Sequence, residues 1–559
     1  MSEGDLDQKT NRGRPAEPAA SGLERRPGLV LGAILLLGLV ARILTATHTY
    51  CVGTDSIHFL EMAERMAPLT PEAVLAGVDH HVFHPAYPFL MAGTHRLLEI
   101  GLDRCGQIVS VVFGTLTLLP LFAIARHVFG TLPALCATLL LAVNPEHLEH
   151  SGDVMSEATF LCFVLACVAL AIPALLQNSR LAAFGAGVSG GLAYLVRPEG
   201  GMPLLVLCLA LLLALRRRRA AAGCLLVALL GFALFAAPYL THISFIDGSF
   251  KPEITLKKPL WDHEPRGEPR IRAAVPPRSV RRGRAAEKER ESVAAQVVHE
   301  YAASVYYVAL FFIAIGLPRS LARRSELGAG TPLVVGVLVV GLVVAVGVFE
   351  KLAYLSSRHL LTFTVLTLPW AGYGMVEAGR WLHAKLGLRR LSVPATAAAI
   401  AVFAAAVHGP KVLQPQRWHR LGERSAALVL RKEGEATRED YVITSSNRAL
   451  YYAGLEARNR IGIDDPRRLS YAEIQRVAAL TDGRARFVLI PYKDGFRELI
   501  DGGEYANLEL LYRYGQEQQE AQYGITRKLA KKRWIFLYEV PQEEDHPDGA
   551  RLAGEEDQS

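Results

Sequence analysis

Charge is what this chain has little of. Asp, Glu, Lys and Arg make up 21% of its 559 residues, against 51% that are hydrophobic, and the mean hydropathy is positive. With its apolar residues gathered into long runs, the chain is not one soluble domain. Cysteine is sparse too: there are seven, Cys51, Cys105, Cys136, Cys162, Cys167, Cys208 and Cys224, most of them inside apolar stretches. None has the paired short spacing of a zinc site, and a buried free cysteine behaves as a small hydrophobe. A Cys51–Cys105 disulfide is conceivable, but spacing alone does not support it. Two further features are missing. No clear small-residue cleavage site follows the first apolar stretch, which therefore reads as an uncleaved anchor. No clear internal repeat of the kind many transporters carry is visible.

What is present is a series of apolar windows. A helical span needs about 20 mostly apolar residues, and about eleven candidates occur: 28–47, 106–126, 131–145, 155–176, 181–196, 201–215, 220–241, 302–317, 331–349, 359–378 and 391–408. Basic residues mark every second connection: Arg25 and Arg26, Arg126, Arg180, Arg216 to Arg219, Arg319 with Arg323 and Arg324, and Arg380 with Lys385, Arg389 and Arg390. Short cytoplasmic loops are enriched in Lys and Arg, so the amino terminus is expected inside. The connections around Asp55, Asp153, Arg197 and Arg358, the segment 242–300 and everything after 408 are then expected outside. This orientation also accounts for much of the net charge of +7, which gives no reason to expect nucleic acid.

Residues 1–27 read as a disordered cytoplasmic tail, and 28–408 as the membrane domain. Within it, 242–300 forms an outside loop rich in Arg, from Arg266 to Arg290. After Gly409-Pro410 the composition becomes that of a soluble domain, 409–541, with a disordered acidic tail at 542–559. Tyr441-Val442-Ile443-Thr444, Phe487-Val488-Leu489-Ile490-Pro491 and Trp534 to Val540 read as strands, and 446–455 and 470–480 as helical. The expected fold class is mainly α: a polytopic helical membrane protein with a small α/β domain on the extracytoplasmic side.

The charges beside the apolar windows carry the chemistry. Asp55 lies in Thr54-Asp55-Ser56-Ile57-His58, just past the first window, and His84-Pro85-Ala86-Tyr87-Pro88 follows. The third window runs into Asn144-Pro145-Glu146-His147-Leu148-Glu149-His150-Ser151-Gly152-Asp153, ahead of Val154-Met155-Ser156-Glu157. If the fourth helix starts near Gly152, Asp153 and Glu157 share one face. Glu157 then sits about a turn inside the apolar zone, where an unpaired carboxylate costs about 3 kcal/mol. Arg197-Pro198-Glu199-Gly200 and Arg358-His359 are expected on the same side. Guanidiniums grip phosphate through paired donors, and a carboxylate can take a proton from a hydroxyl or amine. The combination suits a phosphate-bearing substrate.

These residues resemble the polyprenyl-phosphate-sugar-dependent glycosyltransferases of the GT-C superfamily, especially the family 39 mannosyltransferase-like, RgtA-like and aminoarabinose-transferase-like branches. The resemblance covers roughly residues 28–380. It rests on Asp55 after the first window, His84-Pro85-Ala86-Tyr87-Pro88, Asn144-Pro145 through Glu157, Leu195-Val196-Arg197-Pro198-Glu199-Gly200 and Ser357-Arg358-His359-Leu360-Leu361. It implies transfer of a hexosyl or pentosyl group, with inversion, from a polyprenyl-phosphate donor to a lipid, polysaccharide or protein acceptor at the extracytoplasmic face of a plasma (bacterial inner) membrane. In that scheme Asp55 is the general base, Glu157 or Asp153 orients acceptor or sugar, and Arg358 and Arg197 bind the donor phosphate. His84, Tyr87 and Glu199 frame the pocket.

Two departures stand out: Ser56 occupies the place of a second acid in the mannosyltransferase branch, and Ala86 that of a second proline. No cofactor is implied, although Asp79, His80, His81 and His84 could hold a divalent ion. A transporter or flippase of lipid-linked precursors and a non-catalytic membrane scaffold are the other readings. Convergence of Asp55, Glu157 and Arg358 on one outward cavity separates the enzyme from both.

Overall fold

The computed structural model describes residues 26–78, 83–216, 219–244, 293–352, 356–386, 392–417, 420–455, 459–462, 471–481, 483–493, 508–514 and 533–540. Most of the two expected tails, most of the Arg-rich loop, and Asp79, His80 and His81 lie outside the described residues.

Every apolar window folds as helix. The helices are Pro27–Thr47, Leu102–Leu116 running into Leu118–Phe129, Thr131–Ala142, Glu157–Leu176, Arg180–Val196, Met202–Leu215, Ala220–Ser244, Thr331–Leu352, Leu361–Leu386 and Val393–Val412, plus the pair Val293–Val305 and Tyr307–Ala322. Among the described residues, six are long and apolar enough to cross a membrane, or seven if the pair, bent by 107° at its break, counts as one. Thr131–Ala142 and Arg180–Val196 are shorter apolar helices, and Leu361–Leu386 carries Glu377 and Arg380.

Small residues let these helices close on one another. A Cβ at Gly187 would stand 2.0 Å from the Ala228 carbonyl oxygen, so Arg180–Val196 and Ala220–Ser244 meet backbone to backbone. Gly374 meets the Phe312 carbonyl equally closely. At the end of the bundle marked by Arg319, Arg323 and Arg380, those three guanidiniums share the buried Glu377 carboxylate.

The third window does not run straight into the fourth. Helix Thr131–Ala142 stops, Asn144 caps a separate short helix, Pro145–Gly152, by accepting the His147 N–H at 2.9 Å, and the chain is extended at Asp153. Asn-Pro explains the break, since proline suits a first helical turn but not an interior.

Beyond Val393–Val412 comes helix Leu421–Lys432, then strands β1 (Tyr441–Thr444), β2 (Arg460–Gly462), β3 (Ala485–Lys493), β4 (Glu509–Tyr514) and β5 (Arg533–Glu539). Their order in the sheet is β2-β1-β3-β5-β4; β1 is parallel to β2 and β3, and β5 antiparallel to β3 and β4. From Phe487 to Ile490 β3 is apolar on both faces, because both are covered there. Phe487 and Leu489 pack with Leu421, Leu430, Leu450 and Leu537, whereas Val488 and Ile490 pack with Ile474, Val477 and Phe536. The first face also receives Cys51, so the segment leaving the first helix docks on this layer. Thr49 bridges to Gln416, and the N–H groups of Tyr50 and Gln416 donate to Gln416 O and His48 O.

Candidate active site

Asp55 is the second residue of helix Thr54–Met66, where the partial positive charge of the helix start favours a carboxylate. The turn is closed by Ser56, whose hydroxyl accepts the Gly53 N–H at 2.9 Å. Ser56 is wholly buried against the Met155 sulfur, which gives a physical reason for the missing second acid. A longer carboxylate there would be driven into an apolar contact.

Asp55 meets Arg358 across 303 positions of chain: Arg358 Nη1 donates to Asp55 Oδ2 at 2.5 Å. Arg358 lies in a short 3-10 turn, Ser357–Leu360, at the head of helix Leu361–Leu386. That turn is tied down in two ways: Ser357 Oγ donates to Glu146 Oε1 at 2.5 Å, and His359 Nδ1 accepts the Ser356 N–H at 3.1 Å.

Arg358, His359, Arg197, Glu199 and Glu157 line one small cleft, with Phe160, Met202, Val344 and Phe363 among its apolar walls. Its charged residues sit at helix ends. Glu157 opens its helix, Arg197 closes Arg180–Val196, and Glu199 lies in the 3-10 turn Pro198–Gly201. Arg197 Nη1 donates to Glu157 Oε1 at 3.0 Å and its Nε to Glu199 Oε1 at 3.2 Å, with the guanidinium against the Phe160 ring.

Three sequence expectations change here. Asp153 and Glu157 do not share a helical face, because Asp153 ends one helix and Glu157 begins the next. Asp153 is buried and pairs instead with Arg417 at 2.6 Å; neither it nor Asp55 lines the cleft, but Asp55 is joined to the cleft through Arg358 and Asp153 is held by Arg417. Nor is Tyr87 on that lining: fully buried, it donates to Gly106 O at 3.0 Å and lies 2.9 Å from Ser110 Oγ, which makes it a brace inside the bundle. His84 packs against the rings of Tyr194 and Tyr239 rather than against the cleft. It is the described member of the Asp79, His80, His81 and His84 set. Among the described residues no group of three or more His, Cys, Asp or Glu is placed to hold a metal.

Several residues escaped sequence reasoning. Arg42, inside the first apolar window, is fully buried and donates to Gly38 O at 2.8 Å and to His147 Nδ1 at 2.7 Å. A charge inside an apolar run was a legible signal. Glu146 and His150 belong to the acid and imidazole cluster noted above, 3.5 Å apart, an ion-pair separation wider than a good hydrogen bond. Burial alone would lower the His150 pKa, but Glu146 and its acidic neighbours raise it to about 9. Burial pushes Glu146 up, but His150, the Ser357 hydroxyl and Lys411 together outweigh it, leaving that carboxyl below its ordinary value. Arg417 had no local signal. It holds a left-handed backbone (φ 52°), and its guanidinium is so close to Gly53 that a Cβ there would approach it to 3.1 Å.

Residues 80–242 match the family model of dolichyl-phosphate-mannose-protein mannosyltransferase. The matched stretch contains His84, Tyr87, Asp153, Glu157, Arg197 and Glu199, but neither Asp55 nor Arg358. No curated protein sequence matches the chain significantly. Among solved structures, ArnT from Cupriavidus metallidurans in its apo state aligns with a TM-score of 0.53 at 12% identity, over 92% of this chain and 98% of that one. The same protein bound to undecaprenyl phosphate gives a TM-score of 0.50 over the same shares at 12% identity. The apo oligosaccharyltransferase of Archaeoglobus fulgidus gives 0.51 at 13% identity, over 84% of this chain and 70% of that one. The chain shares the fold of these structures, a mainly helical one here, with a small sheet-bearing region after the helices.

Proposed function

We propose that this chain is a membrane glycosyltransferase that moves a sugar from a polyprenyl-phosphate carrier to an acceptor hydroxyl or amine at the extracytoplasmic face. The observation that carries this reading is the Asp55–Arg358 contact beside a cleft shared by Arg358, Arg197, Glu157 and Glu199. The carboxylate suited to take a proton and the guanidinium suited to hold a phosphate touch each other. The position of these charges at helix ends favours an enzyme opening to one face over a transporter with a mid-depth site.

Donor phosphate entering the cleft competes with Asp55 for the Arg358 guanidinium, which binds phosphate through paired donors. Asp55 is thereby released to the acceptor. The acceptor oxygen or nitrogen attacks the anomeric carbon as its proton passes to Asp55, and the bond from that carbon to the phosphate oxygen breaks with inversion. Arg358, with Arg197, stabilises the charge gathering on the departing polyprenyl phosphate, an electrostatic task suited to a partly dry site. Glu157 holds Arg197 in place and faces the sugar with Glu199. The match to a dolichyl-phosphate-mannose family model and the fold shared with a protein crystallised with undecaprenyl phosphate support a lipid-phosphate sugar as donor.

The test compares envelope glycans and glycolipids of cells lacking the protein with those of cells carrying only Asp55→Asn. Loss of one and the same sugar is expected in both, with transfer reduced at least about 100-fold by loss of the base. Full transfer by Asp55→Asn removes Asp55 from the mechanism. In a parallel measurement, Arg358→Gln should weaken binding of undecaprenyl phosphate to the purified protein about tenfold or more; unchanged binding would oppose the phosphate role.

A further inference from the structure

The cleft is built from the membrane bundle, yet the residues just ahead of Asp55 are held from elsewhere. Arg448 Nε donates to Val52 O at 2.7 Å, and its Nη2 lies 3.4 Å from Thr54 Oγ1. The Val52 N–H donates to the Tyr452 hydroxyl at 2.9 Å. Both residues come from helix Asn447–Ala453, nearly 400 positions along the chain. A third contact, from Arg424 Nη1 to Tyr50 O at 2.9 Å, extends the grip backwards.

The gripping group is itself fixed. Arg448 is 5% exposed and donates through Nη1 to Glu423 Oε2 at 2.8 Å; Glu423 is 4% exposed, accepts from Ser446 Oγ at 2.5 Å and pairs with Arg420 at 2.7 Å. A buried ion pair is costly to desolvate and weak evidence for stability, but its geometry is well defined because each charge needs its partners. Such a pair is better suited to specifying position than to holding a fold together.

Position matters at this point of the chain. Thr54 starts the helix and Asp55 follows it, so a displacement of Val52 carries the carboxylate along. A proton acceptor works only when held to within about 0.5 Å of its productive place. We infer that Arg448 and Tyr452 are positioning residues that set Asp55 by clamping Val52 to Thr54, so the region after the membrane bundle completes the site. This inference rests on the reading of Asp55 as the base.

The test uses the full chain in cells lacking the protein, and its readout is the rate at which the envelope sugar missing from those cells is restored, per molecule of membrane-inserted protein. Tyr452→Phe deletes one oxygen and leaves no buried charge. It should slow restoration about fivefold, the usual worth of one lost hydrogen bond. Arg448→Gln should slow it more, with Arg448→Lys recovering part of the loss. In an Asp55→Glu background, where the carboxylate is already displaced, Tyr452→Phe should cost less than about twofold, because residues acting through one group are not additive. Losses that multiply in full, or wild-type rates for both Tyr452→Phe and Arg448→Gln, overturn the inference whatever Asp55→Asn does. Hydrogen exchange on the purified full chain in detergent gives an arm independent of activity. Tyr452→Phe should raise exchange across residues 50–58 and leave β3 protected; unchanged exchange at 50–58 refutes the clamp even if Asp55→Asn proves active and the base reading fails.

Discussion

At the scale of single residues, the molecule separates side chains that look alike in sequence. Tyr87 and His84 sit in one motif with Pro85 and Pro88, but Tyr87 spends its hydroxyl on Gly106 O and Ser110 inside the bundle. Tyr87→Phe should therefore lower stability by about 1 kcal/mol while transfer per folded molecule stays within about twofold. A detergent-denaturation curve beside the glycan assay would check it, and a large loss of transfer at full stability would return Tyr87 to the cleft. Asp55 and Arg358 show the opposite case. Each was visible as a charge at the edge of an apolar run, and the fold joins them at 2.5 Å. Arg417 was not visible, because nothing in Gln414-Pro415-Gln416-Arg417 announces a partner 264 positions upstream.

At the scale of elements, the eleven windows were legible because hydrophobic length is a local property, and each is helical. Their ends were less so. The Asn144-Pro145 break, which turns one expected helix end into a separate helix, moved Asp153 away from Glu157 and toward Arg417. In the sheet, β1, β3 and β5 were readable as apolar runs. The three-residue β2 was too short to stand out, and β4, Glu509–Tyr514, mixes charge with apolar residues. Helix pairing depends on small residues whose role emerges only at contact. Gly187→Val should force Arg180–Val196 away from Ala220–Ser244, since the added carbon falls 2.0 Å from a backbone oxygen that cannot turn aside. A loss of about 3 kcal/mol or more is expected, seen as a lower detergent-melting temperature and poor recovery of folded protein. Unchanged melting would mean that this interface has slack.

At the scale of the whole molecule, the candidate site is a meeting of distant segments, and its pH response should show it. Glu146 pairs with His150 and through Ser357 steadies the turn bearing Arg358. The His150 pKa is raised to about 9 from an ordinary 6.5, so the stability it adds is full below about pH 6.5 and is lost as pH rises through about 9. Glu146, held below its ordinary value, adds stability that is lost only as pH falls through that depressed value. Melting temperature should thus fall progressively between about pH 6.5 and 9 and level off above, with His150→Gln flattening that decline. A fall of equal size in His150→Gln would assign it to other groups. Taken alone, the sequence determined the class of molecule: apolar helices in series, a small sheet-bearing region after them, and charges standing at the edges of the apolar runs. Those features follow from hydrophobic length, period and breaking residues, all written within a few turns of chain. Only the tertiary structure decided which guanidinium answers which carboxylate, Arg358 for Asp55, Arg197 for Glu157 and Arg417 for Asp153. Pairing across 40, 264 or 303 positions is set by how helices pack, and no local pattern encodes it.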